Sequence, residues 1–153
     1  MAKEALFTIL ENNFDLEEVT ALDLFSGTGS ISYEFASRGT KSIMLVENNP
    51  RHLRFIRDTL RDLDMTEVEA IRANVFSFLR HAPLSFDIIF ADPPYDLPGI
   101  EDLPEMIFAH KVLKARGWFV LEHSRKQDFQ GHPHFLFLKK YGQVHFSFFS
   151  KKD

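Results

Sequence analysis

The spacing of apolar positions switches repeatedly between a helical and a strand rhythm along the chain. Residues 2–11, A-K-E-A-L-F-T-I-L-E, are strong helix formers with Leu6, Ile9 and Leu10 on one side, which predicts an opening helix. Residues 20–25, T-A-L-D-L-F, form a short apolar run of the buried-strand kind, closed by Ser26-Gly27-Thr28-Gly29. A helix is then expected to Ser37, where Arg38-Gly39 makes a stop. Residues 42–47 read as a second strand. Asn49-Pro50 opens a third helix, since proline suits a first helical turn, and Leu53, Ile56, Leu60 and Leu63 keep helical spacing to Asp64. A third strand at 68–73, a short helix at 75–80 and a fourth strand at 86–91 follow. A helix over 102–113, with Ile107, Phe108 and Leu113 inward, leads to a fifth strand at 118–121.

After that strand the alternation stops. Residues 134–140 and 143–150 are two Phe-rich strands joined across Tyr141-Gly142, the pattern of an antiparallel hairpin. Five strand–helix alternations imply a parallel sheet with helices on both faces, because parallel neighbours need crossovers. The expectation is one α/β domain over residues 1–153: a doubly wound, mostly parallel, seven-stranded Rossmann-like sheet with an antiparallel C-terminal hairpin. No internal repeat, low-complexity tract or linker interrupts it.

Composition narrows the class. The 153 residues are 44% hydrophobic and 26% charged, the balance of a folded domain rather than a disordered chain. The absence of cysteine removes a disulfide framework and a thiolate metal site, and fits a reducing, cytoplasmic setting. No run approaches the roughly 18 apolar residues of a membrane span. Eighteen basic against 22 acidic residues, a net charge of −4, argue against a nonspecific nucleic-acid binder while leaving room for a local basic face. Arg51, Arg54, Arg57 and Arg61 follow near-helical spacing, but the interleaved Asp58, Asp62 and Asp64 make a solvated mixed-charge face the better account. Lys139, Lys140, Lys151 and Lys152, near the hairpin, are better candidates for RNA contact, with plain solvent exposure as the alternative. His132-Pro133-His134 lacks a third ligand nearby, so no metal is expected.

The chemistry gathers where strands end, which in a doubly wound sheet is where ligands bind. Gly27 and Gly29, spaced by one residue after the first strand, allow a tight turn and close backbone approach to a ligand. A dinucleotide fingerprint needs a third glycine where this chain has Ser32, which weakens a pyrophosphate reading and leaves an ordinary strand-to-helix turn open. Glu47 ends the second strand and can accept two hydrogen bonds from a ribose diol; alone, an acid before Asn-Asn-Pro is more often a helix cap, and the glycine loop reverses that balance. Asn74 ends the third strand, where its amide can read an adenine edge, cap the next helix, or do both. The fourth strand ends in Asp92-Pro93-Pro94-Tyr95. The Asp92 carboxylate and the Pro93 carbonyl can each accept one N–H of an amine on an aromatic ring, drawing its nitrogen toward tetrahedral geometry. Two prolines stiffen the backbone that holds these acceptors, and Tyr95 offers a face for stacking. Read alone, the string is also an N-capped, proline-rich turn.

Taken in order, D-L-F-S-G-T-G-S, V-E-N-N-P, A-N-V and A-D-P-P-Y resemble the class I S-adenosylmethionine-dependent methyltransferases that act on exocyclic amines of nucleobases. K-E-A-L-F-T-I-L, F-V-L-E-H and K-K-Y-G-Q-V-H-F-S-F-F resemble, more narrowly, the RsmD family, which methylates a guanine N2 in 16S ribosomal RNA. The resemblance covers nearly the whole chain. It implies S-adenosyl-L-methionine as methyl donor, with S-adenosyl-L-homocysteine as product, and 16S rRNA or the small ribosomal subunit as partner of a monomeric enzyme. It also implies that Asp23, Gly27 and Gly29 hold the methionine end of the cofactor, with Phe25 among the cofactor-binding residues. Glu47, with Asn48 beside it, would take the ribose, Asn74 and Val75 the adenine, and Asp92, Pro93, Pro94 and Tyr95 the flipped guanine. The family usually has Asp where Asn74 stands. Its members also carry a basic segment ahead of the K-E-A-L-F helix, whereas this sequence starts at Met1-Ala2-Lys3, so either a truncated chain or an abbreviated member is expected. Three rivals stay open at this point: a DNA adenine-N6 methyltransferase, a nicotinamide-dependent oxidoreductase, and a non-catalytic relative that binds RNA or protein.

Overall fold

The computed structural model describes residues 2–82 and 84–151. Helix α1 (Ala2–Asn13) is followed by β1 (Thr20–Leu24), α2 (Ser30–Ser37), β2 (Ser42–Glu47), α3 (Pro50–Asp62), β3 (Val68–Arg72), α4 (Val75–His81) and β4 (Phe86–Ala91). A 3-10 turn (Ile100–Asp102) runs into α5 (Leu103–Ala109), and β5 (Leu113–His123), β6 (Phe135–Tyr141) and β7 (Val144–Ser150) complete the chain. The local signals explain most of these limits. Pro50 sits in the first turn of α3, and the Asn49 side chain caps it by accepting from the Arg51 and His52 N–H groups.

Seven strands form one sheet in the order β3-β2-β1-β4-β5-β7-β6. The first five strands are mutually parallel, and β7 runs antiparallel to both β5 and β6. This is the doubly wound, mostly parallel seven-stranded sheet with an antiparallel C-terminal hairpin expected from the sequence. Each face of the sheet buries its own apolar core. Leu24, Leu79, Ile107 and Phe119 pack on the side of α4 and α5. Leu6, Phe35, Ile56 and Phe148 pack on the side of α1, α2 and α3. Strand order reverses between β1 and β4, so a crevice opens beyond their carboxyl ends. Among the described residues, no helix is long and apolar enough to cross a membrane.

Several boundaries differ from expectation, most by a single residue, and three of them bear on the packing. The helix expected over 102–113 ends at Ala109, because Lys111 takes a left-handed φ of 56° and Leu113 already pairs with Phe86 as the start of β5. The fifth strand is therefore longer than 118–121, and it bulges: pairing skips from Phe86↔Leu113 to Ile88↔Trp118. Gly117 lies in that bulge, where a Cβ would stand 2.7 Å from the Asp87 carbonyl oxygen and 2.9 Å from that of Lys114. Leu63, expected on the apolar face of α3, lies past its end and is exposed. The hairpin turns across Gly142-Gln143, one residue later than read, with Tyr141 paired to Val144.

Candidate active site

The glycine loop leaves β1 under strain. Phe25 adopts a left-handed φ of 56°, unusual for a bulky residue, and its ring meets Phe76 edge-on at 6.4 Å. Gly29, the N-cap of α2, has φ 86°, and a Cβ there would lie 2.6 Å from the Tyr33 hydroxyl. Beneath the loop, Asp23 is buried, and its Oδ2 accepts from Ser26 Oγ at 3.0 Å and Ser32 Oγ at 2.8 Å. Ser32, standing where a dinucleotide fingerprint needs glycine, thus ties α2 to the end of β1. Burial raises the Asp23 carboxyl to about 6; the two hydroxyls temper the rise and the nearby Asp92 charge adds to it.

Glu47 does not cap α3, since Asn49 does so. Its Oε1 accepts the Gly27 N–H at 2.7 Å and its Oε2 accepts the Asn49 N–H at 3.0 Å, while His52 Nδ1 lies 3.5 Å from Oε2. An ionised carboxylate offers about four acceptor positions, so each oxygen keeps one free. Asn74 caps α4 by accepting from the Ser77 N–H at 3.2 Å, which leaves its amide N–H groups for a ligand.

At the end of β4, Pro93 is buried while Asp92, Pro94 and Tyr95 are exposed. Tyr95 is 74% exposed, a large aromatic surface held at the mouth of the sheet. Among the described residues, no protein donor reaches the Asp92 carboxylate or the Pro93 carbonyl, whereas the next carbonyl, of Pro94, accepts from the Leu97 N–H at 3.1 Å. The Asp92 side chain lines a cavity, and the protein packed around it raises its carboxyl to about 6. One strand over, the half-buried Glu122 is raised to about 7 by burial, with the Asp92 charge adding to the effect.

All the site residues named from the sequence except Asp23 and Gly29 line this cavity, of about 730 Å³. Asp23 lines a neighbouring one of about 490 Å³ under the start of α1, together with Lys3, Ser30, Phe146 and four residues common to both cavities, Phe25, Gly27, Asp92 and Glu122. Gly29 lines neither and acts through the loop. Sequence reasoning gave Glu122 no role in the site, although it stands in the F-V-L-E-H stretch that carries the resemblance. It also overlooked His123, which joins the wall of the larger cavity. The Ser124 carbonyl, 2.7 Å from His123 Nδ1, must accept a proton, and burial lowers the ring's pKa; neutral His123 therefore accepts from Ser147 Oγ at Nε2, 2.7 Å away.

The remaining candidates fall elsewhere. Arg61 faces Asp58 at 3.2 Å and Asp62 at 3.7 Å, as a mixed-charge helix surface would have it. Lys139, Lys140 and Lys151 are exposed, and Lys152 lies outside the described residues. His132 Nδ1 accepts the His134 N–H, and its Nε2 faces Glu105 at 3.3 Å.

The family model described as "Conserved hypothetical protein 95" matches residues 1–150. Among curated relatives, the chain is 30% identical over 120 residues to "Ribosomal RNA small subunit methyltransferase D" of Buchnera aphidicola subsp. Baizongia pistaciae, a match covering 78% of this chain and 61% of that protein. It is 29% identical over 130 residues to "Putative rRNA methyltransferase YlbH" of Bacillus subtilis, covering 82% and 70%. The chain thus spans about three fifths of the length of the first of these relatives. Among solved structures, the putative methyltransferase yhhF from Escherichia coli superposes with a TM-score of 0.87 at 21% identity, over 99% of this chain and 84% of that one. A putative methylase from Haemophilus influenzae gives 0.83 at 23% identity, over 97% and 94%. At these identities the structural likeness is one of fold.

Proposed function

The chain belongs to the conserved hypothetical protein 95 family, that of the RsmD methyltransferases, and from that premise we propose that it methylates the exocyclic N2 amine of a guanine in 16S ribosomal RNA. One observation carries the proposal. Two acceptors without protein donors, the Asp92 carboxylate and the Pro93 carbonyl, face a cavity whose other side is the glycine loop and Glu47.

The residues present fit S-adenosylmethionine. Glu47 keeps one open acceptor position on each oxygen, the number a ribose diol needs, while its bonds to the Gly27 and Asn49 N–H groups hold the carboxylate in place. Asn48, Asn74 and Val75 border the same space for the adenine, and Asp23, Phe25 and Gly27 border the adjoining cavity for the methionine end. Bound there, the cofactor supplies a methyl group on a positively charged sulfur. The chain's own contribution is alignment and charge. Asp92, ionised above about pH 6, and the Pro93 carbonyl each take one amine N–H, and Pro93-Pro94 keep both acceptors in place without reorganisation. Tyr95 stacks on the base once it leaves its helix, offsetting a cost of a few kcal/mol.

Calorimetric titration should give heat with S-adenosylmethionine and none with NAD. Radiolabelled methyl transfer should then mark guanine N2 in 16S rRNA or in small-subunit particles lacking the modification. Heat with NAD and none with S-adenosylmethionine would refute the proposal, and label on an adenine amine would move it to another base.

A further inference from the structure

Glu122 is a carboxylate the fold has enclosed without giving it a partner. It follows Leu121, and Leu121 pairs with Ala91, the residue before Asp92. The two acids therefore sit side by side on adjacent strands, roughly 4.8 Å apart along the hydrogen-bonding direction. Phe90 and Val120 both face the α1 side of the sheet, and alternation places Asp92 and Glu122 on that side as well. Both acids line both cavities, so they stand at the passage between them. On the other flank β7 closes over the position, with Phe146 opposite Glu122. Among the described residues no donor reaches the Glu122 side chain. A half-buried acid left this way calls for a donor from a ligand.

The chemistry of the bases says which donor. In adenine and cytosine the exocyclic amine adjoins a ring nitrogen that carries no proton and accepts. In guanine the N2 amine adjoins N1–H, which donates. Resting on the proposed methyl transfer to a nucleobase amine, we propose that Glu122 accepts the N1–H of the target base and thereby selects guanine. With the amine between Asp92 and the Pro93 carbonyl, an acceptor beside Asp92 meets the donor beside N2. An adenine or cytosine would turn a lone pair toward the Glu122 carboxylate and be rejected by repulsion as well as by the lost bond.

The sharpest probe is 2-aminopurine, which keeps the 2-amine but has an unprotonated N1. Ligated 16S rRNA carrying guanine or 2-aminopurine at the methylated position, assembled into small subunits, makes the substrate pair. The wild-type protein should favour guanine in kcat/KM by about 10- to 100-fold, the range of one charge-assisted hydrogen bond. In Glu122→Gln the preference should shrink to about threefold or less, because an amide can present its oxygen to N1–H or its NH2 to N1. Losses common to both substrates cancel in the ratio.

A second measurement needs no variant. The wild-type preference should fall as pH drops below about 7, since a protonated Glu122 can donate to N1 of 2-aminopurine. Asp92 on β4, Asp23 on β1 and Lys3 on α1 face the same cavity, and His123 and His145 project from the other face of their strands. Asp92 titrates nearby, but both substrates carry the amine it holds, so its effect cancels. A preference unchanged in Glu122→Gln, or flat with pH in the wild type, overturns the assignment. A wild-type protein that fails to methylate the guanine substrate overturns the proposed function instead.

Discussion

Replacing Asp23 by Asn should stabilise the fold at neutral pH. The carboxyl is almost fully enclosed, and its proton affinity rises from the usual 3.8 to about 6 despite hydrogen bonds from Ser26 and Ser32. The sign follows from proton counting. Below pH 3.8 the group is protonated both folded and unfolded and contributes nothing. Between 3.8 and about 6 the unfolded chain gives up the proton while the folded one keeps it, so stability falls as pH rises. Above about 6 the full penalty is present. At about 1.4 kcal/mol for each tenfold in proton affinity, it amounts to about 3 kcal/mol. Asparagine removes the charge and can keep its oxygen toward both hydroxyls. Its NH2 then turns toward the start of α2, whose N–H groups prefer an acceptor, which trims the gain to about 1–3 kcal/mol. Urea unfolding from pH 4 to pH 8 checks this. The variant and wild type should be close at pH 4, and their difference should grow in the variant's favour up to about pH 6 and then level. A difference that stays constant with pH, or a variant less stable at pH 7.5, would refute the account of Asp23 as a destabilising charge held for a ligand.

Three further outcomes are expected. Asp92→Ala should lower kcat/KM for methyl transfer by about 10- to 150-fold, the worth of one charge-assisted acceptor, and the wild-type rate should drop tenfold per pH unit below about 6 as Asp92 is protonated; an alanine variant with full activity sinks that role. Tyr95→Ala should leave unfolding within about 0.5 kcal/mol of wild type, because the ring is exposed, yet weaken the rRNA substrate by about 1–3 kcal/mol at unchanged S-adenosylmethionine affinity. Gly117→Ala should cost about 1–3 kcal/mol in urea unfolding, since the new methyl meets the Asp87 and Lys114 carbonyl oxygens, which belong to the backbone and yield little.

The fold was most legible where two local signals agreed. Pro50 marked a first helical turn, and α3 begins there, capped by the Asn49 side chain. Strands β2 and β4 match their expected limits because each is an apolar run with polar residues or a proline beyond it. The boundary between α5 and β5 failed for a nonlocal reason. Val112 and Leu113 suit a helix face and a buried strand equally. What decides is β4, through the Phe86 N–H donated to the Val112 carbonyl at 2.8 Å and the pairing of Phe86 with Leu113. Neither contact leaves a mark in the local spacing.

The site divides in the same way. Glu47 and the Asp92 string stood out because each breaks an apolar run with polar chemistry. Asp23 also stood out, but only the fold shows that two serine hydroxyls hold its Oδ2, so that it shapes the loop as well as bordering a cavity. Glu122 was invisible as a site residue, because one acid at the end of a strand reads as a solvent-facing edge. Strand order changes its meaning. With β4 on one side and β7 on the other, the position is interior, and the nearest charge is another carboxylate. Without protein donors among the described residues, burial raises the proton affinity of both acids, and the Asp92 charge adds to the rise at Glu122. On the proposed reading, a guanine edge relieves that cost by bringing donors to both acids, N2–H to Asp92 and N1–H to Glu122.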